Sequence, residues 1–275
     1  MKIPLVQIDA FAETLFEGNP AAVMPLASWL SDDVLQRIAL ENNLSETAFL
    51  VSREGDGDSS PDRAQPAYDL RWFTPATEVD LCGHATLAAS AYLFDDVHRD
   101  AYSLRFSTRS GRLTVTRTED GLLTMDFPAE APVPAEVDPQ IAQALGAEVK
   151  EAHRATDLIY VVQDAETVLG LKPDLTFVGS LPARGIAVTA PGEGTEFDFV
   201  SRWFGAQAGV PEDPVTGSAH CQLAPLWAER LGVQEMTARQ MSPRGGTVHV
   251  RLVDDRVLLS GRCVRYLEGT VDLPE

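Results

Sequence analysis

Glu46 lies in Leu44-Ser45-Glu46-Thr47-Ala48-Phe49-Leu50-Val51, a run whose two faces otherwise read as apolar. A carboxylate on such a strand loses solvation, which moves it towards taking and returning a proton near neutrality, the work of a general acid/base. At an exposed strand end it would be a plain surface acid. His84 follows Gly83 at the start of an uncharged helical stretch, where an imidazole could relay protons or donate to a substrate hydroxyl, or simply cap and pack. Asp213, beside Pro214 and ahead of Gly217, could accept from a ligand amine or cap the helix that begins there. Gly83-His84 and Gly217-Ser218 would offer unpaired N–H groups and the positive end of a helix dipole, which suit a carboxylate or a developing enolate. Glycine at each tip lets a ligand come close, although a single such turn reads equally as an ordinary entry into a core helix.

Cys82, His84, His220 and Cys221 invite a zinc reading, but C-x-H and H-C pairs lack the usual spacing of tetrahedral sites, and no metal is expected. Serine hydrolase, NTPase and Rossmann dehydrogenase chemistry find no G-x-S-x-G elbow, Walker loop or strand-linked G-x-G-x-x-G. Gly245-Gly246 reads as a hairpin turn, with Arg244 beside it able to reach a substrate carboxylate.

The elements that must position these residues come as a repeat. Arg71-Trp72-Phe73 precedes Glu78, Asp80 and Gly83-His84-Ala85, while Arg202-Trp203-Phe204 precedes Glu212-Asp213 and Gly217-Ser218-Ala219, with three more residues of spacing in the second copy. Each copy runs on into an uncharged stretch, Ala85 to Phe94 and Ala219 to Ala228. A helix without charge on any side belongs inside a protein, so each half reads as a sheet curled around one central helix. Pro225 should kink the second helix by removing a backbone donor.

Strands are expected at Ile3 to Phe11, Leu44 to Val51, Tyr68 to Phe73, Tyr102 to Phe106, Arg112 to Arg117, Leu122 to Phe127, Leu158 to Gln163, Gly185 to Ala190 and in a closing run from Gly246 to Val271. Helices are expected after Ser31-Asp32-Asp33 and around Pro139 to Leu145. Arg53 to Ala67, dense in Gly, Asp, Ser and Pro, reads as a surface loop, and the proline-rich Ala129 to Ala135 as a domain linker. The division expected is 1–127 and 128–275, with the last strand free to cross back to the first domain.

With 41 acidic against 22 basic residues and a net charge of −19, the chain of 275 residues lacks the basic stripe a nucleic acid or an anionic membrane would require. No apolar run is long enough for a membrane helix. The amino terminus does not read as a signal peptide, and three cysteines do not make a disulfide framework, so the expected address is the cytoplasm. The expected partner is a small molecule.

Asp9-Ala10-Phe11, Gly18-Asn19-Pro20-Ala21-Ala22-Val23, Leu44-Ser45-Glu46-Thr47-Ala48-Phe49, the run from Trp72-Phe73-Thr74-Pro75 through Glu78-Val79 to Leu81-Cys82-Gly83-His84-Ala85-Thr86, and Glu212-Asp213-Pro214-Val215-Thr216-Gly217-Ser218-Ala219-His220-Cys221 together resemble the PhzF-type phenazine-biosynthesis isomerase family. The resemblance implies the diaminopimelate epimerase-like fold: α+β, with two pseudo-equivalent domains, each a curled, barrel-like mixed β-sheet around a central α-helix, and the active site in the cleft between them. It also implies a homodimer and no cofactor; the native substrate is not inherited with the fold, and a small amino- or hydroxy-carboxylate is the expected class. In the phenazine enzyme a glutamate matching Glu46 shuttles a proton across dihydro-3-hydroxyanthranilate. By the same matching, His84 and Asp213 assist proton movement and bind polar groups, Gly83, Gly217 and Ser218 contact substrate at the helix tips, and Asn19 is a weaker assignment to substrate binding. Cys82 stands where two-base epimerases of this fold carry a catalytic thiol, but the second motif has Thr216 and Ser218 in place of a partner thiol. A Cys82-dependent epimerase and a non-catalytic binding protein on the same scaffold are the alternatives to a Glu46 isomerase.

Overall fold

The computed structural model describes residues 1–53, 65–205 and 210–273. Its contacts divide the chain into two compact units, Met1–Asp126 with the segment from Ser260 on, and Phe127–Leu259. The chain passes through β1 (Lys2–Ala10), β2 (Asn19–Leu26), α1 (Asp32–Asn42), β3 (Glu46–Ser52), β4 (Ala67–Phe73), β5 (Glu78–Val79), α2 (Gly83–Tyr92), β6 (Ser103–Thr108), β7 (Gly111–Arg117) and β8 (Leu123–Pro128). It continues through β9 (Val133–Ala135), α3 (Pro139–Leu145), β10 (Glu151–Arg154), β11 (Leu158–Val161), α4 (Ala165–Gly170), α5 (Leu175–Gly179), β12 (Gly185–Pro191) and β13 (Phe199–Gly205). Then come α6 (Gly217–Leu231), β14 (Glu235–Gln240), β15 (Gly246–Val253), β16 (Arg256–Gly261) and β17 (Cys263–Asp272).

In the first unit β17 and β2 flank β1 antiparallel, β3 joins β2 in parallel, and β4 joins β3 antiparallel. Period-2 alternation along β3 puts Phe49 and Val51 with Leu35, Ile38 and Ala39 of α1, Met24 and Phe73 in one core cluster. The other face, with Glu46, Ala48 and Leu50, turns to α2, which contacts β1, β2 and β3. Residues His84 to Ala91 of α2 are all buried. Its buried hydroxyls are satisfied by the helix backbone: Thr86 Oγ1 donates to the Cys82 carbonyl and Ser90 Oγ to the Thr86 carbonyl. At Tyr92 the helix passes into a π-type turn over Leu93–Val97.

The second unit repeats the plan. α3, α4 and α5 cover one face of β10 to β13, where Ile141, Leu145, Val168 and Val178 pack on Tyr160, Ile186, Val188, Val200 and Phe204. The opposite face holds α6: Trp227 stacks on Phe199 at 5.7 Å and its indole N–H donates to Thr189 Oγ1. Pro225 does lie inside α6. The carbonyl it leaves without an intrahelical donor, that of Cys221, instead accepts from the Glu130 N–H at 3.1 Å.

Two expectations need revision. The proline-rich segment read as a linker is partly strand, with Val133, Pro134 and Ala135 in register with Arg154, His153 and Ala152. The sequence reading also placed no helices at Ala165–Gly170 and Leu175–Gly179, each of which begins with an aspartate accepting first-turn N–H groups. The loop expected over Arg53 to Ala67 falls largely on residues 54–64, outside the described residues.

Candidate active site

The duplicated motif is built alike in both units. Arg71 Nε and Nη2 clamp the two Glu78 oxygens at 2.7 Å each, and Arg202 Nε and Nη2 clamp Glu212 at 2.7 and 2.9 Å. Each guanidinium lies over the phenylalanine two residues on, Phe73 and Phe204, near 5 Å in both cases (5.1 and 5.0 Å). Trp72 pairs with Val79 and Trp203 bridges to Asp213. Counting on from these pairs, Asp213 is the counterpart of Val79, Thr216 of Cys82, Gly217 of Gly83 and Ser218 of His84. The clamp shows that the three extra residues of the second copy fall between Phe204 and Glu212.

In the first unit, Glu46 opens β3, pairs with Ala21, and carries a side chain only 17% exposed. Its Oε2 lies 3.0 Å from Nε2 of His84 on the first turn of α2, close in distance but out of line for a hydrogen bond. The other imidazole nitrogen, Nδ1, faces Cys82 Sγ at 3.5 Å. The structure thus brings together Glu46, Cys82 and His84. Asn19 is fully buried at the first position of β2, opposite Ala10.

The charges in this cluster are interdependent. Burial, reinforced by the Glu46 carboxylate, raises the Cys82 thiol above its ordinary range, so it keeps its proton at neutral pH. Burial opposes charge on His84, yet the Cys82 sulfur and the Glu46 carboxylate outweigh it and hold the ring well above the ordinary histidine range. The Cys82 sulfur and, next to it in weight, the Glu46 carboxylate together favour the proton on His84. Donor atoms of Glu46, Cys82 and His84 lie within 4.8 Å of one another. His84 nevertheless divides its two nitrogens between sulfur and carboxylate, which suits a proton relay better than convergence on one ion. His220 and Cys221 make their contacts within α6 and its cap, Nδ1 with the Thr216 carbonyl at 2.8 Å and Sγ with the Gly217 carbonyl at 3.6 Å. Burial pushes His220 down to about 4, so it is neutral near pH 7.

In the second unit, Thr216 Oγ1 donates to Asp213 Oδ2 at 2.5 Å, and Gln240 donates to the Asp213 carbonyl at 2.7 Å. Asp213 therefore organises the entrance to α6. Ser218 is exposed, and its Oγ accepts from Arg184 Nη1 at 2.7 Å. A Cβ added to Gly217 would meet only Leu259 Cδ1, at an ordinary 3.6 Å, so packing does not demand glycine there. Arg184 and its partner Asp157 were missed by the sequence reading. They stand 27 residues apart without a motif, and only the parallel pairing of β11 with β12 brings them together.

Two units of the same plan, each a curled sheet around a buried helix, define the diaminopimelate epimerase-like α+β class. A hydroxyproline epimerase from Agrobacterium vitis with bound trans-4-hydroxy-L-proline shares this fold at a TM-score of 0.59 and 11% identity, covering 98% of this chain and 92% of that one. The PhzC-PhzF family, described as phenazine biosynthesis-like protein, matches residues 8–269. An uncharacterized isomerase of Pseudomonas aeruginosa is 49% identical over 273 residues, 99% of this chain and 100% of its own. The crystal structure of a PhzF-family phenazine biosynthesis protein from Enterococcus faecalis superposes with a TM-score of 0.92 at 42% identity, covering 99% of this chain and 100% of that one. The chain belongs to the PhzC-PhzF family and is an isomerase.

Proposed function

We propose that this isomerase works without a cofactor and moves a proton on a small amino- or hydroxy-carboxylate, with Glu46 as the acid/base. The observation that carries this reading is the enclosed Glu46 carboxylate 3.0 Å from His84 Nε2 on the first turn of a buried helix. Glu46 takes a proton from a carbon next to an electron-withdrawing group, the C–H electron pair enters the adjoining π system, and Glu46 returns the proton to a second carbon. Nothing is oxidised or reduced. His84, held as an imidazolium, donates to the substrate group on which negative charge gathers. Asp213 and Asn19 bind polar groups and Gly83, Gly217 and Ser218 contact the substrate, as the family resemblance implies; in this reading the helix-tip backbone holds the carboxylate.

The test is incubation of the protein with a metabolite pool in heavy water, scored by mass spectrometry. One small carboxylate should gain a deuteron; a pool in which none does so contradicts the proposal and favours a binding protein.

Gly217→Ala probes the helix tip. Because the space for a methyl group exists, folding should be unharmed or improved by about 0.4–1 kcal/mol, while exchange activity falls as the methyl crowds the tip. Urea unfolding and the exchange assay on one preparation check both halves.

Cys82 favours a second reading, since its sulfur touches the same imidazole. A Cys82-dependent epimerase should lose all activity on Cys82→Ser. The Glu46 mechanism predicts that this variant retains turnover within about tenfold, as expected when no acid/base is lost. Chiral analysis of the exchanged product completes the comparison.

We also propose a cytoplasmic homodimer. Three free cysteines suit a reducing compartment. Phe16 and Tyr266, in edge-to-face contact yet 66% and 50% exposed, give the first unit an apolar patch suited to a second copy.

A further inference from the structure

We propose that Arg184 is the substrate-recognition residue for an anionic group, fixed in place by buried Asp157 beside Ser218 on the first turn of α6. The inference rests on the reading above that Ser218 binds substrate, and it adds the side chain that sets preference for charge.

β3 sets Ala48 opposite Trp72, and β12 sets Ala187 opposite Trp203, so the counterpart of Glu46 in the second unit is Gly185. No side chain fits there: a Cβ on Gly185 would lie 2.3 Å from the Trp203 ring and 2.8 Å from the Phe204 carbonyl oxygen. The second unit therefore has no acid/base at this position. Its polar group stands one residue earlier, at Arg184, whose guanidinium lies 5.6 Å from the centre of the Trp203 ring. Arg184 reaches Ser218, the counterpart of His84, just as Glu46 reaches His84.

The way Arg184 is held separates it from the two structural clamps. In Arg71–Glu78 and Arg202–Glu212 both side chains are mostly enclosed. In Arg184–Asp157 the carboxylate is 0% exposed and the arginine 36%. Asp157 is a foundation: it accepts from Arg184 Nε at 2.8 Å, from Arg184 Nη2, and from Gln222 Nε2 at 2.9 Å, while its own N–H donates to Gln222 Oε1. Burying a carboxylate so completely is costly unless it is well bonded, and here the bonds fix the plane of a guanidinium that looks outward. Three of the five N–H groups of Arg184 are engaged among the described residues, which leaves one on Nη1 and one on Nη2 for an acceptor. In a chain of net charge −19, a fixed cation next to a glycine-tipped helix gives a small anion a favourable place to bind.

The test is calorimetric titration with matched carboxylates and neutral amides: anthranilate with anthranilamide, salicylate with salicylamide, and lactate with lactamide. The wild type should bind the carboxylate of at least one pair more than tenfold tighter than its amide. That preference should drop by about 10- to 100-fold in Arg184→Met, the usual weight of a charge-assisted hydrogen bond. Arg184→Lys should keep part of it. Because Arg184→Met strands a buried carboxylate, the double variant Arg184→Met/Asp157→Asn removes the guanidinium without leaving that charge and should show the same loss. An unchanged preference in the double variant, or no preference in the wild type for any pair, overturns the proposal. Glu46→Gln should leave the preference intact. If charge preference depends on Arg184 but no carboxylate ever gains a deuteron, the anion site stands and the isomerase mechanism falls.

Discussion

Glu46→Gln should bind small carboxylates nearly as well as the wild type while turnover falls by about 10²–10⁴, the usual contribution of a positioned acid/base. The substitution keeps the shape of the side chain and removes only its ability to take a proton. The affinity should survive because the proposed anion contacts, helix-tip backbone and Arg184, do not include the Glu46 carboxylate. A second effect follows inside the cluster. Removing the carboxylate charge takes away one of the two influences that favour the proton on His84 against burial, so the ring should lose its proton at lower pH than in the wild type. Glu46→Gln should thus remove the base and weaken the electrophilic donor. Deuteron transfer and ligand titration on the same sample separate this outcome from unfolding, which would abolish both. Turnover at the wild-type rate would remove Glu46 from the mechanism.

The largest effect on stability is expected at the other end of the motif. Arg202→Met should cost about 3–5 kcal/mol, because it leaves the mostly enclosed Glu212 carboxylate, 17% exposed, without its partner. Arg202 Nη1 also donates to the carbonyls of Val168, Leu169 and Leu171, so three acceptors around the end of α4 lose a donor as well. Arg71→Met should cost less, since that arginine side chain is 19% exposed against 9% for Arg202, and its second partner, Asp32, is 71% exposed. Replacing both Arg202 and Glu212 with apolar residues should restore much of the loss. Urea unfolding of the three variants decides the matter. Wild-type stability in Arg202→Met would mean that the clamp contributes nothing and that the repeat is conserved in shape for some other reason.

The contrast between these predictions shows what was legible in the sequence. Residue order alone revealed the repeat, because a clamp needs Arg and Glu at fixed places in a hairpin and an enclosed helix admits no charge. Glu46 and His84 were visible because polar groups stand out against small and apolar neighbours. The role of Cys82 beside His84 was harder to read: a sulfur two residues away can face the imidazole or turn from it, and only the non-helical backbone of the cap decides. Arg184 was invisible for a different reason. Its meaning depends on Gly185 being closed to any side chain by Trp203, a packing fact that no local pattern carries. The short helices α4 and α5 were missed because five or six residues hold too little periodicity, although Asp164 and Asp174 mark their starts. The proline-rich stretch before α3 misled because proline signals loops more strongly than a three-residue strand signals pairing.

Nitrogen NMR of the His84 ring, followed through a pH titration of the wild type and of Glu46→Gln, tests the proton-carrying pair most directly. The expected result is a wild-type ring protonated on both nitrogens at pH 7, losing its proton only well above the ordinary histidine range, and a ring that loses its proton at clearly lower pH in the variant. A wild-type His84 that is neutral at pH 7, or that titrates identically with and without the carboxylate, would contradict the coupling on which the mechanism stands.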